Sequence, residues 1–466
     1  STQHLILIGD HNQLRPHVAT YSLSIESHIG ENYQLDKSLF ERFVDGTNNT
    51  IKIEKTRLLT QRRIRGEISD LIRYTIYDDL KDGENTTEYP NVSGVQHNVY
   101  FIDHDYPEED CGSDLAMQSH VNMYEVKMVV EMVKYFVKYG YTKPKDIAVL
   151  TPYLGQMSKI KEALSESFIV DIDERDAQNI ADMEEEESDT SKSLNQRVTL
   201  RTVDNFQGEE ANIVIISLVR NYSDSKYNSI GFLKSKNRSN VLLSRAREGM
   251  YLIGNSKLMA SKSEDMWAPV VNILRKRNQI GPGMPIECKH HPDCKNIVKV
   301  PEQFDEVCSP TGGCRSTCDI PLSCGHTCAN ECHFDNLEHK RVKCRKPCKN
   351  EHSKCGHKCL KLCYKDCGKC NVPVGEIILP CGHMLQNAEC WESQNKEKEL
   401  PCGHTSNYVE CWKKDKVKIK CITSIDFELS CGHILEGIKC WRTQTNNTLE
   451  CNFIGDITLP CGHALQ

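Results

Sequence analysis

Residues 198–220 read VTLRTVDNFQGEEANIVIISLVR, and the fold follows from how this stretch is divided. Two strand-like runs, 198–203 and 213–218, flank a polar segment rich in turn-forming residues. Outward from it the pattern repeats. Residues 147–150 and 251–253 are further compact apolar runs. Residues 4–8 (HLILI), ending at Gly9-Asp10, read as another buried strand. Ile68, Leu71, Ile72 and Ile76 fit one helical face. A longer helix is expected over about 121–139, with Met128, Val129, Met132, Val133, Phe136 and Val137 on its apolar side and Gly140 as its stop. Strand then helix, repeated, predicts an α/β domain with a parallel sheet covered on both faces. In such sheets function gathers at the carboxyl ends of the strands.

Five polar clusters are expected at those ends: GDHNQLRP from Gly9, LTQRR from Leu59, TPYLGQ from Thr151, TVDNFQGEE from Thr202 and SRAR from Ser244. Together they suit phosphoryl transfer, which needs guanidinium groups for developing phosphate charge and a Gln or Asp to sense the γ-phosphate or orient water.

In order and wording these clusters resemble motifs III to VI of the second RecA-like domain of superfamily 1 helicases, in the Up-frameshift-like branch. The resemblance covers residues 1–256. It implies that Gln13, with Asp10 nearby, couples γ-phosphate to nucleic acid, and that Arg63 and Arg245 are the arginine fingers. It further implies that Gly208, Glu210 and Arg247 meet the nucleotide, Glu210 at the ribose. Thr151, Tyr153 and Thr202 would touch the nucleic-acid backbone. Arg62, Gly66 and Asn212 depart from the common tyrosine, proline and aspartate. No G-x-x-x-x-G-K-[S/T] loop occurs. In the family that loop lies upstream of motif III, so ATP and Mg2+ would be shared with a preceding domain. The expectation is a piece of a longer protein, inactive by itself.

The 466 residues carry a formal charge of −7, unevenly spread. Residues 171–189 hold ten acids and one arginine and read as a solvated, mobile loop; without them the first half is neutral, so charge does not exclude an RNA or DNA partner. Cysteine is more uneven still. Of 25, only Cys111 precedes Cys288, and no role is assigned to it. Disulfides would not explain histidine recurring at a fixed offset from cysteine; zinc does, since it accepts mixed S and N ligands in a tetrahedron. Cys-Gly-His occurs six times. One repeat places Cys324, His326, Cys328, Cys332 and His333 before His339, Cys344 and Cys348. It recurs as Cys355, His357, Cys359 and Cys363, followed by Cys367 and Cys370. A second repeat, CGH-x6-CW, gives Cys381, His383 and Cys390; Cys402, His404 and Cys411; and Cys431, His433 and Cys440. Cys421 and Cys451 are additional, and the pattern restarts at Cys461 and His463. The tryptophans read as packing lids over the metals. An entry group precedes these repeats: Cys288, His291, Cys294, Cys308, Cys314 and Cys318. The pool could furnish roughly six to eight zinc sites, with the partition open.

The first repeat resembles the NFX-type zinc finger, and its pairing with the motor motifs resembles the NFX-type zinc-finger-containing helicase family. The expected organisation is a RecA-like domain (1–256), helix and hinge (257–287, with residues 281–285, GPGMP, as the hinge), NFX-type fingers (288–370) and CGH-x6-CW repeats (371–466). The resemblance implies an ATP-dependent RNA helicase or RNP-remodelling ATPase. Its partners would be RNA and proteins of RNA-silencing, surveillance or antiviral pathways, in cytoplasmic RNP granules or the nucleus. No run is apolar enough to span a membrane. The alternatives are a zinc-dependent RNA- or protein-binding scaffold with a vestigial motor, and a related DNA helicase. Ubiquitin-ligase behaviour is disfavoured, because no clear cross-brace spacing is visible.

Overall fold

The computed structural model describes residues 4–18, 20–25, 27–46, 52–109, 120–181, 196–222, 229–334, 339–340, 342–378, 384–393, 424–429, 431–443, 457–458 and 464–465. Two compact units are present: Ser1–Cys318 with Ala329–Lys340, and Asp319–Cys328 with Arg341–Gln466.

The first unit is built on seven strands: β1 Val99–Asp103, β2 Ile147–Thr151, β3 Ile169–Ile172, β4 Arg197–Thr202, β5 Ala211–Ser217, β6 Ala246–Gly254 and β7 Ile280–Gly281. Their order is β3-β4-β2-β5-β6-β1-β7 and every pairing is parallel. The stretch 198–218 thus supplies β4 and β5, on either side of β2. Alternation along β5 feeds two cores. Ile213 and Ile215 join Ile102, Val149 and Leu200 on one face, under α2 (Met123–Lys138) and α3 (Leu154–Ser165). Val214 and Ile216 join Phe101, Leu150 and Leu252 on the other, under α1 (Gly66–Arg73), α5 (Lys236–Leu243), α6 (Ser256–Lys262) and α7 (Trp267–Lys276). This is the RecA-like parallel sheet expected from the sequence. α2 is capped by the Asn122 side chain, which accepts from Glu125 N, and Gly140 ends it at φ 98°.

Three expectations are corrected. Residues 4–8 form no strand: Leu5, Ile6 and Ile8 are 61%, 84% and 94% exposed, and among the described residues the segment pairs with no strand. An apolar run becomes a strand only where an open edge accepts its hydrogen bonds. Residues 281–285 are not a hinge. Gly281 ends β7, and β8 (Met284–Glu287) pairs antiparallel with β9 (Lys295–Val298), burying Met284, Ile286 and Val298 in the first core. Gly283 is there for close approach, since a Cβ would lie 2.4 Å from Val298 O. The start of the acidic run is ordered: it forms the end of β3 and α4 (Glu174–Ala181), with Asp176 fully buried. Residues 182–189, like Cys111, lie outside the described residues.

In the second unit, antiparallel bridges Pro347↔Leu362 and Glu351↔Lys358 fold residues 347–362 into a hairpin. Beyond it, β10 (Pro373–Ile378) pairs with β11 (Met384–Glu389), and β12 (Ser424–Glu428) with β13 (Ile434–Lys439). Each pair runs into a single helical turn, Cys390–Ser393 or Cys440–Thr443. The two CGH-x6-CW repeats that reach the described residues therefore form hairpins ending on Cys390 and Cys440, with Gly432 at φ 83° turning the described triplet.

Asp176 accepts from Thr202 N (2.9 Å), Thr202 Oγ1 (2.8 Å) and Asn205 Nδ2 (2.6 Å). Asp176→Ala leaves these donors unsatisfied in a buried place, and the expected loss is about 2–4 kcal/mol, read as a lower midpoint in thermal unfolding.

Candidate nucleotide edge and metal centres

Strands in a parallel sheet all point one way, so residues just before a strand and residues just after one lie at opposite edges. The predicted polar clusters divide accordingly, and the expectation that all gather at the carboxyl ends is corrected. Glu210 precedes β5 and Arg245 precedes β6, whose first residues pair as Ala211↔Ala246. Both stand at the amino edge. Arg63 reaches them from the segment before α1, with Nε 2.7 Å from Glu210 Oε2. Arg247 NH1 is 3.8 Å from Glu210 Oε1, and its guanidinium lies over the Tyr89 ring. Glu210, expected at a ribose, faces these arginines, and Gly208 at φ 89° turns the chain just before it.

Arg245 is 1% exposed. Its Nε donates to Val241 O (3.1 Å) and its NH2 to Gln13 Oε1 (3.3 Å). Among the described residues no carboxylate pairs with it. Burial, and next the Arg63 charge, pull its guanidinium down to about 10, so it remains charged at neutral pH. Asp10 accepts from Tyr77 OH (2.6 Å) and Gln13 Nε2 (3.3 Å), and burial pushes the Tyr77 phenol up. The structure thus brings Asp10, Gln13, Arg63, Arg245, Glu210 and Arg247 to one edge.

The scaffold of this edge was not singled out in the sequence. Asn237 and Asn240, three apart on α5, hold the loop carrying Gln13 through His11 O, Gln13 O and Asn12 O. Two asparagines on one face of a buried helix were the available signal. Gln61 Oε1 accepts from the backbone N–H of Arg63 and Ile64 (2.9 Å each), and Gln61 Nε2 donates to Asp82 Oδ1. Burial would raise the Asp82 carboxyl, but hydrogen bonds from Gln61, Ser69 and Arg73 outweigh it and hold the group below its usual range.

Thr151 and Thr202 end β2 and β4 at the opposite, carboxyl edge, with Tyr153 two residues beyond Thr151. All three are buried: Thr202 is held by Asp176, the Tyr153 hydroxyl accepts from Arg220 (3.1 Å), and the Thr151 hydroxyl has no hydrogen-bond partner among the described residues. Beside Thr202 opens a cleft of about 680 Å³, lined by Arg175, Arg201, Asp204, Asn205, Gln207 and Glu209 among others.

Tetrahedral zinc with bonds of about 2.3 Å to sulfur and about 2.1 Å to nitrogen requires S···S of about 3.8 Å and S···N of about 3.6 Å between ligands. The second unit shows these separations. Cys324 Sγ is 3.6 Å from His326 Nδ1, Cys348 Sγ 3.6 Å from Cys367 Sγ, and Cys370 Sγ 3.7 Å from His357 Nδ1. The described cysteines are free of disulfides. Three sets converge: Cys324, His326, Cys344 and Cys363; Cys348, Cys359 and Cys367; Cys355, His357, Cys370 and Cys390. These donor sets fit zinc. The 347–362 hairpin carries Cys348 and Cys359 of the second set, with Cys359 N bonded to Asn350 O, and Cys355 and His357 of the third; its flanks, joined by Cys363 N to Lys346 O and Tyr364 N to Cys344 O, bring together Cys344 and Cys363 of the first. Among the described residues, neither NFX-type repeat encloses its own metal: read along the chain, the three sets interleave. Cys431 and His433 stand 3.5 Å apart, with Cys440 buried at the end of the same hairpin. Trp391 donates to Glu389 and carries the Lys369 ammonium over its ring.

In the first unit, Cys288, His291, Cys314 and Cys332 converge. Cys318 Sγ is 3.2 Å from His339 Nε2, and His333 lies against His339. The entry group is therefore divided. Cys308 joins none of the converging sets among the described residues: it lies in the first core, where burial pushes its thiol up to about 12. Cys294 packs beside the four-ligand set without joining it, and Cys328 is buried in the second unit. Cys381, His383, Cys402, His404, Cys411, Cys421, Cys451, Cys461 and His463 lie outside the described residues.

Residues 35–257, all within the first unit, match the AAA domain family. The chain is 35% identical over 394 residues to NFX1-type zinc finger-containing protein 1 of Mus musculus (84% of this chain, 18% of that protein). It is 36% identical over 381 residues to the protein of the same name from Homo sapiens (82% and 17%). To the helicase required for RNAi-mediated heterochromatin assembly 1 of Schizosaccharomyces pombe it is 34% identical over 275 residues (59% and 23%). Its homologues are thus the NFX1-type zinc finger-containing proteins and the Up-frameshift-like superfamily 1 helicases. The chain spans 17–18% of the length of the two mammalian relatives.

Interleaved ligand sets predict coupled metal loss. Cys363→Ser should release more than one equivalent of zinc by metal analysis; release of one alone would show independent sites.

Proposed function

We propose that this chain supplies the arginine-bearing half of an ATP-dependent RNA helicase or RNP-remodelling ATPase, with its zinc modules serving RNA or partner binding. One observation carries the reading: Arg245 is a buried cation that pairs with no carboxylate among the described residues, among groups that suit a polyphosphate. A buried unpaired charge is costly, and an anion at this edge offsets the cost. Arg63 sits one carboxylate away, half-exposed on Glu210, where it can exchange that partner for a phosphate oxygen. Gln13, bonded to both Asp10 and Arg245, links the phosphate side to the loop that Asn237 and Asn240 hold. The chain contains no phosphate-cradling loop, so this edge would complete a site whose remaining groups lie on another domain. Mg2+ would neutralise phosphate oxygens there.

RNA as the substrate, and silencing or surveillance in RNP granules or the nucleus, are supported by the name of the fission-yeast relative, which concerns RNAi-mediated heterochromatin assembly. In this reading the nucleic-acid strand meets the carboxyl edge, where the open polar cleft lies beside Thr202 and where Thr151 and Tyr153 are also found.

In the full-length protein, Arg245→Ala should lower RNA-stimulated phosphate release by about 10³-fold or more, while Arg245→Lys recovers little of it. Turnover within about twofold of wild type would refute the role. RNA binding unaffected by ATP, together with no turnover in the parent, would favour the zinc-dependent scaffold.

A further inference from the structure

The group Cys288, His291, Cys314 and Cys332 differs from the others in its surroundings. Its ligand atoms lie within 4.8 Å of one another. Cys288 Sγ is 3.7 Å from both Cys332 Sγ and His291 Nδ1, and Cys314 Sγ is 3.3 Å from His291 Nδ1, close to what tetrahedral zinc requires. All three cysteines are buried. What packs around them is the first unit. Phe334, two residues after Cys332, stands edge-on to Tyr139 at the end of α2, with ring centroids 4.7 Å apart. Gly312 and Gly313 have φ of 92° and 88°. A Cβ at Gly312 would lie 2.7 Å from the Phe334 ring, and one at Gly313 would lie 2.6 Å from Cys332 Sγ. The double glycine thus lets the Cys332–Phe334 segment close onto α2. Tyr139 OH donates to Glu287 O (3.4 Å), one residue before Cys288. Met284, Ile286, Val298 and Phe304, on both sides of the first ligands, belong to the same core as α2.

We propose that these four residues hold a structural zinc ion of the first unit itself, which clamps the Cys332–Phe334 segment onto the end of α2 and closes that face of the α/β core. Segments that lack a core of their own gain their order from such a metal. The inference concerns folding of the unit and does not rest on the ATPase reading.

The test uses the full chain with Trp391, Trp412 and Trp441 changed to Phe. Trp267 is then the remaining tryptophan of four; it is fully buried in the core on the other face of the sheet, and its fluorescence reports unfolding of the whole unit. Cys332→Ser should bind one equivalent of zinc fewer and lower the Trp267 midpoint by about 10 °C or more. Cys294→Ser, whose thiol lies beside the set, should keep both values. A Cys332→Ser midpoint within about 2 °C of the parent would overturn the proposal, as would zinc lost from Cys294→Ser instead. Should Cys332→Ser not fold, the parent stripped of zinc by chelator decides. The Trp267 transition should fall, and one indifferent to complete zinc removal contradicts the role.

Discussion

A cation held out of water, with no carboxylate paired to it among the described residues, organises the first unit. Arg245 stands between α5 and β6, and among the described residues it is the second largest side chain buried almost completely. Its hydrogen bonds go to a carbonyl and an amide, neither of which neutralises it. Leu243 and Ala246 on either side of it are buried in the core beneath α5, so the charge cannot escape to solvent without disturbing the start of β6. Around it the groups are arranged in depth: Arg63 on its carboxylate, Gln13 on its asparagine-held loop, and Asp82 holding Gln61, which in turn orients the Arg63 backbone. The stability of the core maintains a position that the charge itself disfavours, as functional sites commonly require.

Much of this was legible in the sequence. The runs at 147–150, 198–203, 213–218 and 251–253 became central strands because both their faces are covered, and α2 follows its apolar stripe from its cap at Asn122 to the turn at Gly140. The edges were less legible. Strand periodicity says which residues lie in a sheet and is silent on which end a flanking residue occupies. Only pairing did so, as Ala211↔Ala246 shows for Glu210 and Arg245. Local apolarity misled at 4–8, where no partner edge covers the run, and glycine misled at 281–285, where it marks close backbone approach.

The metal ligands divide in the same way. A fixed Cys-Gly-His offset named the donors, because the triplet alone brings S and N to tetrahedral separation, as at Cys324 and His326. The partition depended on hairpin register, which residue type does not encode. Cys308 has the composition of a ligand and the environment of a core residue, and Cys332 reaches back past its own repeat to the entry group. Nearly all the cysteines lie beyond residue 287, yet one set belongs to the first unit, so composition and compactness draw the boundary at different places.

The central claim, that Arg245 is a buried charge awaiting an anion, is tested most directly by the unfolding free energy of Arg245→Met beside wild type, with and without added pyrophosphate. The account predicts that without the anion the methionine variant is at least as stable as wild type, because an uncompensated buried charge has been removed. It also predicts that pyrophosphate stabilises wild type alone. A methionine variant that loses about 2 kcal/mol or more, with both proteins responding equally to the anion, would contradict it and make Arg245 a structural residue.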